Sequence, residues 1–173
     1  MYEKQGKPGE AAACFDRLIA ADPKAIIGLI RRAEFRRDRG EYDLAAADCD
    51  AAAQLDPDSG LPPVVRASIA AARGNHVEAV RQAEAALKKA PHDGRALYAA
   101  AHVWSLASKS AAAESDGKLS QQYADRAAAL LAAALDKGFH DLTFPEHNRM
   151  TTDPALAPVR LHPRVRELLS GRP

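Results

Sequence analysis

Small and apolar positions along the chain fall three and four residues apart in short blocks, and each block ends at a glycine or a proline. Ala45, Cys49 and Ala52 are one such set; residues at this spacing lie on one face of a helix and form a stripe that packs against a neighbour. Strict alternation of apolar and polar residues is rare, and valine and isoleucine are sparse, so a sheet is not expected. The blocks recur at a fixed interval. Gly6, Gly40 and Gly74 stand 34 residues apart, as do Ala11, Ala45 and Ala79, and again Pro23, Pro57 and Pro91. Further columns follow the same step: Phe15, Cys49 and Ala83; Leu18, Ala52 and Ala86; Ala33, Ala67 and Ala101.

Each column has a mechanical reason. Gly40 ends one helix, where a left-handed backbone costs glycine little. Leu55-Asp56-Pro57 closes the next, because proline cannot continue a helix and restricts the residue before it. Small residues at Ala33 and Ala45 let the two helices of a unit approach closely. The pattern predicts helix, tight turn, helix, tight turn, repeated. It divides residues 1–139 into a partial unit 1–23, units 24–57 and 58–91, and an elongated unit 92–139, followed by a cap or tail at 140–173. In the elongated unit the stripe Ala127, Leu131, Ala134 lies 48 residues after Ala79, Ala83 and Ala86. The excess of 14 residues is about four helical turns, so two extra turns in each helix keep the pair in register.

The segment Arg32-Ala33, Gly40-Glu41-Tyr42, Ala45, Asp48, Ala52, Leu55-Asp56-Pro57 resembles the tetratricopeptide repeat, whose period is 34 residues. The resemblance covers roughly residues 1 to 140. It implies an all-α helical-hairpin superhelix, an α-solenoid, here with a short C-terminal capping segment. Large aromatic residues usual in the first helix of that repeat are replaced by Leu29 and Arg36, and only Trp104 in the last unit supplies a full-sized ring. The tail, from Gly138-Phe139-His140-Asp141 through Asp153-Pro154-Ala155-Leu156-Ala157-Pro158-Val159-Arg160 to Leu168-Leu169, with Tyr123-Ala124-Asp125-Arg126-Ala127 before it, is similar to the ending of repeat regions in large bacterial proteins, including some serine/threonine protein kinases. In such proteins the repeats are an appended interaction region. The kinase motifs themselves are absent here: there is no Gly-rich phosphate loop, no paired catalytic Asp and Asn, and no Asp-Phe-Gly.

Composition supports the helical reading. Alanine, the best helix former, supplies about a fifth of the residues, while aromatics make up 5%. Charge is nearly balanced, with 24 basic against 23 acidic residues. That excludes the strong basic excess of a nucleic-acid or membrane-surface binder. No apolar run is long enough to span a bilayer, and the start Met-Tyr-Glu-Lys-Gln-Gly lacks a signal-peptide core, which makes the cytoplasm the expected location. Cys14 and Cys49 lack metal-type spacing and read as reduced, small apolar side chains.

No enzyme chemistry is expected. His140, Asp141, Glu146 and His147 cluster in sequence but lack the spacing of a helical zinc site, and Pro145 interrupts them. Ser and Cys nucleophiles have no nearby His or Asp motif. His76 replaces Tyr42 of the preceding unit in a turn and is expected to pack. Arg32 and Arg66 recur at the period, which assigns them a structural role, such as pairing with Asp48. The run Arg31, Arg32, Arg36, Arg37 and Arg39 is interspersed with Glu34, Asp38 and Glu41 and reads as a solvated face. Neither metal nor cofactor is expected.

Stacked hairpins curve, and the first helix of each unit lines the inner wall. Three inward columns are expected there: Ile30, Val64, Tyr98; Glu34, Ser68, His102; and Arg37, Ala71, Ser105, flanked by Asp38 and Arg95. They form a groove suited to an extended or helical peptide. Carboxylate-gripping varieties of the repeat use lysine and asparagine in these columns; Ile30, Val64, Glu34 and Ser68 stand there instead. The convex face, the tail and the N-terminal flank are the alternative contact surfaces. Counting back from Gly6, the first unit lacks most of its first helix. That open flank reads as a fragment of a longer chain, a misassigned start, or a surface for self-association. The expected function is a non-catalytic scaffold that binds a protein or peptide, with a regulatory arm of a multidomain signalling protein as the alternative.

Overall fold

The computed structural model describes residues 8–24, 26–138 and 153–170. Helix α1 (Pro8–Ala21) is followed by three helical hairpins: α2 (Ile26–Asp38) with α3 (Tyr42–Leu55), α4 (Leu61–Ala72) with α5 (His76–Leu87), and α6 (Gly94–Ala113) with α7 (Gly117–Asp136). A 3-10 turn at Pro154–Val159 and a short helix α8 (Pro163–Ser170) complete the described residues, among which there is no strand. Hairpins stack in chain order: α4 packs on α3, α6 packs on both α4 and α5, and α2 touches α4.

The bends are built alike. In the first hairpin Gly40 N–H donates to the Arg37 carbonyl at 3.0 Å and Glu41 N–H to Arg36 at 2.9 Å. The second repeats the pair with Gly74 to Ala71 and Asn75 to Ala70, both at 3.0 Å. Gly40 and Gly74 have φ of 77° and 93°, the left-handed region in which a Cβ is disfavoured. The third bend uses the same bonds, Ser115 to Ala112 and Asp116 to Ala111, yet places Ser115 at φ 64°. Proline-rich Leu61-Pro62-Pro63 opens α4, where the missing N–H has no helical partner to lose. Asp93 and Asp116 cap α6 and α7 by accepting from backbone N–H groups of the first turn.

Helices α6 and α7 have 20 residues each, against 13, 14, 12 and 12 in the two preceding hairpins. The extra length is two turns per helix, and the stripe Ala127, Leu131, Ala134 stays buried. So do Ala33, Ala67, Ala101, Ala45 and Ala79, each with no exposed surface. A buried methyl group contributes on the order of 0.8 kcal/mol, so cohesion is spread over many close helix contacts rather than a few large side chains. Closeness is extreme at Gly60, where a Cβ would stand 2.4 Å from that of Ala90.

Ion pairs follow the period as well. Arg32 grips Asp48 on α3 with two of its nitrogens and reaches Asp16 on α1 at 2.6 Å, and Arg36 adds a 2.7 Å contact to Asp48. These bonds, the one to Asp48 first, hold the Arg32 guanidinium above its ordinary value against the cost of burial. One period on, Arg66 pairs with Asp50, the counterpart of Arg32 with Asp16. Each pair ties the first helix of one unit to the second helix of the unit before. At the outer edge Tyr42 donates to the Ala72 carbonyl at 3.2 Å, and His76 in the equivalent place is buried against Tyr123, with Glu114 at 3.1 Å. Among the described residues no helix is long and apolar enough to cross a membrane.

Candidate binding face

The first helices α2, α4 and α6 lie side by side and present the predicted inner columns, but those columns are not an open groove. Ile30, Val64, Tyr98, Glu34, Ser68, His102, Arg37, Ala71 and Ser105 are all buried. Of the groove residues expected from sequence, Asp38 and Arg95 keep substantial solvent exposure. On α6 the cause is clear. The 3-10 turn Pro154–Val159 packs along this helix and, more lightly, along α7, and it buries Ala155, Leu156 and Val159. The α6 part of the expected wall is therefore covered by the chain's own tail, while α2 and α4 are packed against neighbouring helices.

One line of polar contacts runs across all three helices and into that tail. Arg37 on α2 donates from Nη1 to Ser68 Oγ on α4 at 2.9 Å, and the same nitrogen lies 3.4 Å from His102 Nδ1 on α6. A guanidinium cannot accept, so Nδ1 carries the lone pair in this arrangement and Nε2 the proton. His102 Nε2 stands 3.0 Å from Asp153 Oδ2, although off the line of a straight hydrogen bond. Tyr98 donates its hydroxyl to that same oxygen at 2.9 Å and meets the His102 ring edge-on at 4.7 Å. The other carboxylate oxygen, Oδ1, caps the 3-10 turn by accepting from Ala155 N–H at 2.9 Å. Arg160 steadies the backbone by donating to the Asp153 carbonyl at 2.8 Å.

Electrostatics favour this charge pattern. Burial on its own would weaken protonation of Arg37, but Asp38, Glu34 and Asp153 outweigh it and hold the guanidinium above its ordinary value. Asp38 itself is pushed up by desolvation, in spite of the adjacent Arg37. Tyr98 donates to the buried Asp153 carboxyl, and the Arg37 guanidinium lies within electrostatic reach of it. Ser105, one turn beyond His102, is fully buried, and its hydroxyl finds no hydrogen-bond partner among the described residues.

Residues 2–60 match the tetratricopeptide repeat family. The three hairpins share the all-α, helix-on-helix architecture of such repeats. Tetratricopeptide repeats generally mediate protein–protein interactions. A search of curated proteins finds none that matches the chain. Asp153 was not anticipated as a partner of the wall. The available signal was the placing of Arg37 and His102 on an otherwise small-residue surface, a positive group that calls for a buried acid. The cluster His140, Asp141, Glu146 and His147 lies outside the described residues. Among the described residues no group of three or more potential metal ligands occurs.

Proposed function

We propose that the chain is a non-catalytic module that binds a protein or peptide through the inner wall of its tetratricopeptide-type repeats, with Tyr98, His102 and Arg37 as the anchoring side chains. The observation that carries this reading is that the wall of α6 already holds a peptide segment, by a carboxylate on Tyr98 and apolar residues beside it. Aromatic and arginine side chains at the centre of a packed contact supply most of the energy of such interfaces. Two free cysteines, one buried and one half-buried, support a reducing compartment such as the cytoplasm.

The test is affinity capture with the intact chain beside Tyr98→Phe and Arg37→Lys, with helix content checked by circular dichroism. Loss of the captured set with helix content retained supports the reading. Equal recovery by all three proteins removes the inner wall as the contact surface. A second reading is a regulatory arm of a bacterial multidomain signalling protein, such as a serine/threonine kinase. It is supported by the likeness of the tail, including the Asp153-Pro154-Ala155-Leu156 segment that packs on α6. A catalytic domain encoded in the same reading frame favours this second reading, and its absence there rejects it.

A further inference from the structure

The tail segment on α6 has the features of a bound ligand rather than of a simple plug. It starts with an acid whose Oδ2 is read by two side chains of the wall, Tyr98 and His102. It continues with residues that alternate in role: Ala155, Leu156 and Val159 are buried, while Pro154 and Ala157 face solvent. Its backbone is shaped by its own first residue, through the bond from Ala155 N–H to Asp153 Oδ1. Yet it satisfies the wall incompletely. Among the described residues, His102 Nε2 lacks a straight hydrogen bond, and Ser105 Oγ lacks any. Buried polar groups left in this state lose their hydration without full return, so a segment that engaged both would bind more strongly.

Resting on the binding function proposed above, we propose that Arg37, Ser68, Tyr98 and His102 form a receptor for the aspartate of an Asp-Pro peptide with apolar residues three and six places further on. Asp153–Val159 is its resident internal ligand, and a partner protein binds by presenting a segment of the same chemistry that displaces it. Complementarity determines the class. Arg37 reinforces the positive side of the wall, Tyr98 donates, His102 Nε2 stands 3.0 Å from the same oxygen, and the space beside them takes Leu156 and Val159. Covalent attachment gives the resident segment a local concentration on the order of millimolar. An outside segment of equal intrinsic strength therefore competes poorly until the internal one is weakened or the partner adds contacts, and the wall is held in reserve.

The experiment is a fluorescence-anisotropy titration with a labelled peptide, Asp-Pro-Ala-Leu-Ala-Pro-Val, acetylated and amidated at its ends. It is run against the full-length chain, against Asp153→Asn with Leu156→Ala, and against that double variant with Tyr98→Phe added. Binding to the double variant is expected at least about ten-fold tighter than to the unaltered chain. A similar loss is expected when the peptide aspartate becomes asparagine or when Tyr98→Phe is introduced. Absence of saturable binding to a double variant of native helix content overturns the proposal, as does equal affinity for the aspartate and asparagine peptides. If the double variant loses its helix content, hydrogen exchange of residues 154–159 in the unaltered chain decides. Acceleration by millimolar aspartate peptide alone supports displacement, and no acceleration overturns it. A peptide that fails while capture still depends on Tyr98 rejects the named ligand and leaves the binding function standing.

Discussion

On α1 Leu18 stands 49% exposed, whereas the residues that follow it in the same column, Ala52, Ala86 and Ala134, are buried behind their neighbours. Phe15 in the adjacent column is half-buried and finds its partner in Phe35, with ring centroids 5.5 Å apart. At the far end of the array the situation reverses. There the face of α6 and α7 is closed by Leu156, Val159 and Val165, all almost wholly buried, and His162 contacts Asp125 of α7 at 2.8 Å. Within the array small residues suffice, because each helix has a close neighbour on either side. On α6 and α7, among the described residues, branched side chains from a non-repeating segment cover the face instead.

The largest difference between α1 and the interior is expected in thiol reactivity. Burial first, with the neighbouring Asp48 second, pushes the Cys49 thiol up to about 12, while Cys14 on α1 is half-exposed and receives a bond from Arg17. Alkylation of the folded protein near pH 8, followed by mass spectrometry, should label Cys14 at least roughly a hundred times faster than Cys49. Comparable rates would mean that the interior opens as readily as the end.

Next comes truncation of one leucine at each end. Leu156→Ala removes a fully buried side chain and should cost about 2–5 kcal/mol. Leu18→Ala, half in water already, should cost no more than roughly 1 kcal/mol. Urea unfolding of both variants measures the gap, and equal losses would show that the two ends are covered to the same degree.

The bends give a smaller, paired effect. Gly40→Ala meets no atom within 4 Å, so its cost is the backbone alone, about 1–2 kcal/mol. Ser115→Gly relieves the same conformation in the elongated hairpin and should stabilise by up to about 1 kcal/mol. Thermal unfolding of the two variants should move in opposite directions.

Smallest is the acid response of the closed end. The contact with His162, then that with Gln121, holds the Asp125 carboxyl below the usual carboxylate range. A depressed acid stabilises the fold above its unfolded pKa, roughly 3.9, and the contribution is lost as pH falls through the lower folded value. Asp125→Asn should therefore show a shallower decline of melting temperature below about pH 4 than the unaltered chain. Parallel declines would show that the contact adds nothing to docking of the tail.

Much of the array is readable from spacing alone. Gly40 and Gly74 are found at bends with positive φ, Asp56 follows the last residue of α3, and the small-residue columns are buried as their period requires. Repetition makes such positions legible, since each column is stated several times. The covering of the wall was not legible for the opposite reason. Asp153, Leu156 and Val159 occur once, outside the period, and what they touch depends on tertiary placement rather than on spacing. Ser115 was hidden by the same logic, because the repeating glycine of the bend is replaced where the hairpin lengthens. The reading of Ile30, Glu34, Arg37, Val64, Ser68, Tyr98, His102 and Ser105 as inner-wall residues depended on helix geometry. The burial of Tyr98, His102 and Ser105 on α6 involved the tail, about which periodicity is silent.

The two additional turns of α6 and α7 also bear on how the chain avoids misassembly. Uniform hairpins can pair with the wrong sibling, since any first helix fits any second helix almost equally well. Were α6 to fold against a second helix of ordinary length, about seven residues, or roughly 10 Å of helix, would be stranded in water. Only α7 matches it in length, so the mismatch disfavours pairing of α6 with any other second helix.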